Sequence, residues 1–318
     1  MKTAVVTGIT GQDGAYLSQL LLQNGYRVIG IIRSYNNSNL SKLKYLGIQD
    51  DIELEECDLS DIPSIISFIK KYKPTELYNL AAQSSVGLSF EQPIGTITFN
   101  SISVLNLLES IRIVDKGVRF YQASSSEMYG KVSHLPVTEE SPMHPLSPYA
   151  ISKATAYWSV VNYRESYGLY ACNGVLFNHE SYLRTQNFFV KKVIKNSIEI
   201  SQGKLDKLRV GHIDIKRDFG YAPEYVKPMW KMLQQDSGAD YLICSGRSVS
   251  LREIIYYIFN KLNISHDKLT SDSTLFRPTD IQDIYGDNSK AREMLNWHYD
   301  ISFYDILDRL LEEELANS

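Results

Sequence analysis

A short segment in the middle of the chain contains the side chains best suited to proton transfer. Ser125, Ser126 and Glu127 follow a strand-like run, and Tyr149 precedes Lys153 by four residues. Residues four apart lie on one face of a helix, so the ammonium group can lower the pKa of the phenol. A phenolate held there can take a proton from a hydroxyl group while hydride leaves the same carbon. The nearby carboxylate predicts chemistry beyond simple oxidation, such as removal of a proton next to the new ketone.

The start of the chain has the glycine spacing of a dinucleotide-binding turn. Residues 7–14 read Thr-Gly-Ile-Thr-Gly-Gln-Asp-Gly, between a strand-like run and a helical segment. This spacing permits a tight turn, close approach of a pyrophosphate and close packing of helix on sheet. Free N–H groups at the helix start would face the anion. The residues predicted to bind the cofactor here are Gly8, Thr10, Gly11, Gln12, Asp13 and Gly14.

The end of the second strand favours a phosphorylated cofactor. Arg33 stands where an acidic residue would bind the ribose 2′-OH of NAD, and an arginine can accommodate the 2′-phosphate of NADP. Arg33 could instead be a solvated residue at a strand end, which leaves NAD open. Asp58 and Leu59 end the third strand-like run, where Asp58 could contact the adenine or cap the next helix. We predict NADP, with NAD as the less favoured cofactor.

Composition and charge exclude several classes of protein. The 33 basic and 37 acidic residues are too balanced for a nucleic-acid-binding protein. Cys57, Cys172 and Cys244 are far apart and lack metal-ligand spacing, so we predict reduced thiols, no metal and a cytoplasmic location. The first strand-like run follows Met1 and Lys2 directly, and no apolar run approaches a membrane span, so we expect no signal peptide and no membrane partner.

The first half of the chain alternates strand-like and helical patterns. Strand-like runs lie at residues 3–6, 27–32, 52–56, 76–80, 118–123 and 170–177, and helical patterns at 15–24, 62–72, 102–114 and 148–167. Such alternation is typical of βαβ units. It predicts an α/β fold with a doubly wound parallel sheet of the Rossmann type.

The second half is less regular and predicts a smaller α/β domain. Helices are expected at 186–201, 223–235, 251–262, 290–295 and 303–315, a strand at 241–244, and irregular stretches at 203–219 and 266–287. We predict a cofactor domain of residues 1–177 with a returning segment at about 220–245. Residues 178–219 and 246–318 would form the substrate domain, with the ligand in the cleft between the two.

Motifs along almost the whole chain are similar to those of one enzyme family. They are residues 7–14, 79–84 (Asn-Leu-Ala-Ala-Gln-Ser), 126–130 (Ser-Glu-Met-Tyr-Gly), 147–149 (Ser-Pro-Tyr), 177–181 (Phe-Asn-His-Glu-Ser), 216–218 (Lys-Arg-Asp) and 277–279 (Arg-Pro-Thr). Together they resemble the extended short-chain dehydrogenase/reductase family, and within it the GDP-mannose 4,6-dehydratases. The Asn-His-Glu-Ser run is the most specific, because general family members lack it. The resemblance implies a GDP-sugar substrate and a homodimer or homotetramer.

The resemblance also implies a catalytic role for each matching residue. Tyr149 would deprotonate the C4 hydroxyl while hydride passes from C4 to the nicotinamide, and Lys153 would hold the ribose. Glu127 would take the C5 proton and return a proton to the departing C6 hydroxyl. Ser125 would hydrogen-bond the C4 oxygen, and Ser126 could serve only to position the loop. Return of the hydride to C6 would give a 4-keto-6-deoxy sugar.

Further residues are implied to contact the two ligands. Leu80, Ala81 and Ala82 would line the cofactor site together with Tyr149 and Lys153. The residues implied to contact the nucleotide-sugar are Ser84, Ser125, Glu127, Asn178, Lys192, Arg217 and Arg277. Arginine and lysine suit a sugar diphosphate, although Lys192 could belong to a solvated helix face. His179 is more often a hydrogen-bonded structural residue than a catalyst.

Departures from the family's pattern leave the substrate open. Ser85 stands where the family usually has histidine, Ser34 replaces a second arginine, and residues 182–185 read Tyr-Leu-Arg-Thr in place of Pro-Arg-Arg-Gly. Because these changes surround the sugar and the cofactor phosphate, GDP-N-acetylglucosamine or a GDP-heptose could replace GDP-mannose. A nucleotide-sugar 4-ketoreductase or C4-epimerase is the alternative function, and neither needs a base at Glu127. A non-catalytic NADP-binding protein is disfavoured, because Tyr149 and Lys153 are both present.

Overall fold

The computed structural model describes residues 1–317, which form a large parallel sheet, two smaller sheets and surrounding helices. The strands are β1 (Thr3–Thr7), β2 (Arg27–Ile32), β3 (Glu53–Glu56), β4 (Glu76–Asn79), β5 (Arg119–Ser125), β6 (Ala171–Leu176), β7 (Asn178–Glu180), β8 (Leu208–Val210), β9 (Lys216–Tyr221), β10 (Asp240–Ile243), β11 (Ser248–Ser250) and β12 (Leu269–Ser271). The helices are α1 (Gln12–Gln23), α2 (Ser41–Tyr45), α3 (Ile62–Tyr72), α4 (Val86–Glu91), α5 (Pro93–Val114), α6 (Pro148–Tyr167), α7 (Phe189–Ser201), α8 (Ala222–Met232), α9 (Leu251–Lys261), α10 (Ser289–Leu295) and α11 (Phe303–Ala316).

The large sheet has the strand order β3-β2-β1-β4-β5-β6-β10, and every pairing in it is parallel. Its central strands are apolar on both sides because helices cover both faces. The chain order reverses between β1 and β4, and ligands of open α/β sheets bind at such a point. The predicted doubly wound Rossmann fold is therefore confirmed.

The returning segment completes this sheet. Strand β10 pairs with β6, and helix α8 packs against α1 on one face of the sheet. In the rest of the second half, β9 pairs with both β7 and β11 in a three-stranded sheet, and β8 pairs with β12. Helices α7, α9 and α11 bury a separate apolar cluster there, which includes Ile194, Ile258 and Leu310. The division into a cofactor domain and a substrate domain, with its bounds, stays a prediction.

Several predictions of secondary structure are wrong, including the irregular stretch at 266–287, which contains β12. Strand β9 occupies part of a stretch predicted to be irregular, because its charged residues Arg217 and Asp218 are buried and hydrogen-bonded inside the fold. Helix α5 begins at Pro93 rather than residue 102, because small and polar residues in its first turns hide the apolar period. Helix α7 begins at Phe189, since residues 186–188 form a turn.

Helix α5 also differs from the expectation about membranes. Among residues 1–317, it is the one helix long and apolar enough, by length and composition, to cross a bilayer. Half of that apolar stretch is buried inside the protein, where α5 packs against α3 and α6.

Candidate active site and cofactor groove

The glycine-rich turn between β1 and α1 is shaped to receive an anion. Gly8 has a φ of +67°, and a Cβ atom on it would lie 2.8 Å from the Leu80 carbonyl carbon. A Cβ atom on Gly14 would collide with the Gly8 carbonyl oxygen. Gly11 precedes α1 without a side-chain cap, so the first N–H groups of the helix stay available for a ligand. These features fit the pyrophosphate of a dinucleotide.

A groove runs from this turn along the carboxyl ends of β1, β2 and β3. All the residues predicted to contact only the cofactor line it, namely Gly8, Thr10, Gly11, Gln12, Asp13, Gly14, Arg33, Asp58, Leu59, Leu80, Ala81 and Ala82. Arg33 is exposed, with its guanidinium carbon 4.8 Å from the centre of the Phe99 ring. Asp58 accepts hydrogen bonds from the backbone and hydroxyl of Ser60, which lower the pKa of its carboxyl. Asp61, not Asp58, caps helix α3.

A second cleft adjoins the groove and contains the predicted catalytic side chains. Ser125, Glu127, Tyr149 and Lys153 all line this cleft. Ser125 ends β5, and its hydroxyl accepts a hydrogen bond from the Glu127 N–H group at 3.3 Å. This short turn presents the Glu127 carboxyl at the carboxyl edge of the sheet, where ligands bind in this fold. Ser126 is buried beneath the turn and does not line the cleft.

The start of helix α6 positions Tyr149 and Lys153. The Ser147 hydroxyl accepts a hydrogen bond from the Ala150 N–H group, and proline occupies the first helical position. Tyr149 therefore lies in the first turn, and Lys153 lies one turn later on the same face. The helix ends at Gly168, whose φ of +68° suits glycine.

Burial dominates the electrostatics of this pair. The Lys153 amine donates a hydrogen bond to the Ala123 carbonyl oxygen at 2.7 Å and lies 5.8 Å from the centre of the Tyr149 ring. Burial raises the pKa of Tyr149 to about 12, although the Ser125 hydroxyl opposes the rise. Burial also lowers the pKa of Lys153 to about 8. Loss of hydration thus outweighs the Ser125 hydrogen bond in this structure, and the lowering of the Tyr149 pKa by Lys153 stays a prediction.

The residues predicted to contact the substrate fall into three groups. Ser84, Asn178, Arg217 and Arg277 line the catalytic cleft together with Ser125 and Glu127. Arg277 is exposed at the rim of this cleft. Lys192 does not line the cleft, and its amine donates a hydrogen bond to the carbonyl oxygen of Arg209.

Arg217 is buried and largely occupied by the protein itself. Its guanidinium group donates to Asp280 at 2.6 Å and to the carbonyl oxygens of Lys216 and Ile281. Its Nε atom lies 3.8 Å from Oε1 of Glu127. The sequence placed Arg217 in an irregular region facing a diphosphate. In the structure it lies on β9, where its charge faces Glu127 and Asp280.

Sequence reasoning missed an ion pair between the glycine-rich turn and the three-stranded sheet. His179 lies on β7, and its Nε2 atom lies 2.9 Å from both carboxylate oxygens of Asp13 in the glycine-rich turn. Its Nδ1 atom lies 2.7 Å from the Phe177 carbonyl oxygen. Because both ring nitrogens face acceptors, the geometry requires an imidazolium. The Asn-His-Glu-Ser run, which general family members lack, was the one sequence signal for His179. It did not indicate Asp13 as the partner of the histidine.

Arg184 was also missed as a site residue. It lines both the cofactor groove and the catalytic cleft, so the two are continuous along this wall. Its guanidinium carbon lies 3.5 Å from the centre of the Phe188 ring. The residue belongs to the segment that departs from the family's pattern, where the resemblance offered no assignment.

Comparisons with known proteins agree with this geometry. A family profile described as GDP-mannose 4,6 dehydratase matches residues 5–310. GDP-mannose 4,6 dehydratase 1 of Arabidopsis thaliana is 42% identical over 325 residues, covering 99% of this chain and 90% of the relative.

Solved structures share the fold at lower identity. DesIV, a dTDP-glucose 4,6-dehydratase from Streptomyces venezuelae with NAD bound, has a TM-score of 0.89 at 21% identity, covering 99% of this chain and 97% of its own. RMD from Pseudomonas aeruginosa, complexed with NADPH, has a TM-score of 0.83 at 22% identity, and both chains are covered completely.

Proposed function

The chain belongs to the GDP-mannose 4,6-dehydratase family, and we propose that it removes water from GDP-mannose or a closely related GDP-hexose. It is a GDP-sugar 4,6-dehydratase, a hydro-lyase that uses a nicotinamide cofactor. The observation that carries the proposed mechanism is the presence of Glu127 in one cleft with Tyr149 and Lys153. A ketoreductase or epimerase needs the last two residues but has no step for a C5 base.

The roles proposed for these side chains follow from their positions. Tyr149 takes the proton of the C4 hydroxyl, while Ser125 holds the C4 oxygen from the end of β5. A bound nicotinamide supplies the hydride acceptor for C4 and the hydride donor for C6. Glu127 removes the C5 proton, which the C4 ketone has acidified, and then protonates the departing C6 hydroxyl. When hydride reaches C6, C5 regains a proton from solvent and Tyr149 releases the proton that it took from the C4 hydroxyl. The products are a 4-keto-6-deoxy sugar and water, with no net oxidation.

The surroundings of Glu127 support its role as base and acid. Arg217 lies beside its carboxyl and is itself held by Asp280. A guanidinium group fixed by three protein acceptors cannot swing away, so the carboxylate keeps one orientation relative to Tyr149. Arg277, exposed at the rim, is the better placed of the two arginines to meet the diphosphate.

The cofactor is proposed to be NADP. The supporting observation is that Arg33 lines the groove at the end of β2, where the ribose 2′-position lies in this fold. Its guanidinium stacks on Phe99 and leaves its N–H groups for a phosphate.

A homodimer or homotetramer in the cytoplasm is also proposed. Ile94, Ile102, Ile151 and Trp158 are exposed apolar side chains on α5 and α6, the two helices that pack together on one face of the large sheet. Exposed apolar side chains on one face are typical of a protein–protein contact. The three buried free thiols suit a reducing compartment.

Incubation of the purified protein with GDP-, UDP- and dTDP-hexoses tests the function. Mass spectrometry should show loss of one water from a GDP-hexose without added reductant, and the reacting sugar would identify the substrate. Conversion of a 4-keto-6-deoxy sugar only when NADPH is supplied, with no dehydration of any hexose, would instead establish a ketoreductase.

A further inference from the structure

Glu180 is a buried carboxyl group in the wall of the catalytic cleft. It is the third residue of the Asn-His-Glu-Ser run, only 3% of it is exposed, and it lines the cleft. Among residues 1–317, its Oε2 atom has no hydrogen-bond partner. The nearest opposite charge is the Nε atom of Arg184, 3.7 Å away and beyond hydrogen-bond distance. Nε of Arg184 is also buried without a hydrogen-bond partner in that part of the chain.

Two other buried carboxyl groups are satisfied. Asp218 accepts from the N–H groups of Ser245 and Gly246 at 2.8 and 3.0 Å. Glu76 accepts from Lys2, Tyr26 and Tyr78. An unsatisfied buried acceptor destabilises a fold, and a charged one does so more strongly. Glu180 differs from Asp218 and Glu76 in this respect, and it shares the property with Asp283, which does not line the cleft.

The position of Glu180 indicates which ligand it would meet. Asn178, His179 and Glu180 of β7 all line the catalytic cleft. Glu180 does not line the cofactor groove, whereas Arg184 lines both. A ligand that satisfies Glu180 thus occupies the catalytic cleft.

We propose that Glu180 accepts a hydrogen bond from a hydroxyl group of the sugar that does not react, at C2 or C3. This inference rests on the proposed dehydration, in which C4, C5 and C6 face Tyr149 and Glu127 and leave these two hydroxyls as the remaining donors of the hexose ring. Carboxyl groups bind hydroxyl donors strongly, and Arg184 balances the charge. Burial raises the pKa of Glu180, and the charge of Arg184 opposes the rise. In such a poorly hydrated environment, a hydrogen bond donated by a ligand contributes strongly to binding.

The test compares full sugars with deoxy analogues. The affinities of wild type, Glu180→Gln and Glu180→Ala are measured by calorimetry for GDP, GDP-mannose and its 2-deoxy and 3-deoxy analogues. The protein is loaded with the reduced cofactor, which cannot accept hydride from C4, so no sugar is turned over. Loss of a hydrogen bond to a carboxylate should weaken GDP-mannose binding by Glu180→Ala about 10- to 100-fold, with GDP binding unchanged. The deoxy analogue that lacks the contacted hydroxyl should bind wild type as weakly as GDP-mannose binds Glu180→Ala. Its affinity should not fall further in Glu180→Ala. The control is Glu224→Gln, at a carboxylate that pairs with Lys227 on the surface.

Other outcomes would overturn the proposal. Equal weakening of GDP and GDP-mannose would indicate a structural role for Glu180. Losses that are the same for all three sugars would indicate no contact with either hydroxyl. Loss of bound cofactor from the variants would place the partner of Glu180 on the cofactor. If Glu180→Ala does not fold, the volume-conserving Glu180→Gln gives the same comparison. Because binding is measured without turnover, an inactive wild type would contradict the proposed dehydration and leave this test intact.

Discussion

At the scale of single residues, the cleft combines groups whose charged forms are disfavoured by burial. The phenol of Tyr149 and the amine of Lys153 both shift toward their neutral forms, with pKa values of about 12 and about 8. The Ser125 hydroxyl and the charge of Arg184 both favour the phenolate, because each lowers the pKa of Tyr149.

Substitution of Tyr149 by phenylalanine should abolish the first proton transfer. A missing general base typically lowers the rate by about 10²- to 10⁴-fold. We expect no transient absorbance of reduced nicotinamide when the GDP-hexose is mixed with the variant. Tyr167→Phe, near the exposed end of the same helix, is the matched control and should behave as wild type. An undiminished reduced-cofactor signal in Tyr149→Phe would exclude the assignment.

Substitution of Glu127 by glutamine separates removal of the C5 proton and loss of the C6 hydroxyl from the first step, the oxidation at C4. Glutamine has the same shape but cannot accept the C5 proton, so dehydration should fall by about 10²- to 10⁴-fold while ligand binding is kept. In deuterated water the wild-type product should carry deuterium at C5 and none at C6, which receives the hydride from C4, and the C5 label should be lost in the variant. Glu140→Gln, at an exposed carboxylate, serves as the control. Full turnover by Glu127→Gln would refute the role.

Substitution of Arg33 by alanine tests the cofactor preference. If the guanidinium contacts the 2′-phosphate, the affinity for NADP should fall about 10-fold or more, because a charge-assisted hydrogen bond is lost, while NAD binding should change little. Titration of both dinucleotides by fluorescence measures the difference. Arg27→Ala, at the start of β2 and paired with Glu53, is the control. Equal weakening of NADP and NAD would discard the interpretation.

At the scale of elements, the helices and strands that could be predicted from the sequence are those whose ends are marked by nearby residues. Helix α6 has the predicted bounds, because Ser147, Pro148 and Gly168 mark its ends. Strand β9 was missed because Arg217 and Asp218 break the apolar alternation, and their burial depends on partners far along the chain. The motif residues of the glycine-rich turn all line the groove. The Asp13–His179 pair joins residues 166 positions apart, and no local pattern encodes such a contact.

Removal of the α6 cap should affect both stability and catalysis. Ser147→Ala removes the hydroxyl that accepts from Ala150 and should lower the free energy of unfolding by about 1 kcal/mol. Because Tyr149 lies in that first turn, kcat should fall roughly tenfold or more as the phenol loses its fixed position. Ser250→Ala removes the cap of α9 and should lower the free energy of unfolding by a similar amount, while kcat stays unchanged. If kcat falls equally in both variants, the cap has no specific role in placing Tyr149.

At the scale of the whole molecule, the groove and the cleft are continuous. Asp13, Ser84, Ala123 and Arg184 line both parts. The ion pair of Asp13 with His179 connects the glycine-rich turn of the large sheet to β7 of the three-stranded sheet. Gln12 adds a hydrogen bond to the His179 carbonyl oxygen, so the turn that lines the groove also holds the strand that lines the cleft.

This contact should make stability depend on pH in a defined direction. Burial lowers the pKa of His179, but the charge and hydrogen bond of Asp13 more than offset this and raise it above 6.5. Burial raises the pKa of Asp13, and His179 more than offsets it, so the pKa lies below 3.8. The ion pair therefore stabilises the fold fully between pH 3.8 and pH 6.5, the ordinary pKa values of the two groups in the unfolded chain. It is lost as pH rises through the raised pKa of His179 or falls through the lowered pKa of Asp13.

Thermal unfolding from about pH 5 to about pH 9 tests this coupling. Wild type should exceed His179→Gln in Tm most strongly near the acidic end, and the difference should shrink as the imidazolium deprotonates. Arg184 and Glu180, the other charged groups that face His179, are common to both proteins. His298→Gln, at an exposed histidine, should follow wild type throughout. A difference in Tm that does not vary with pH would mean that His179 contributes only packing against the Tyr225 ring, 5.1 Å away.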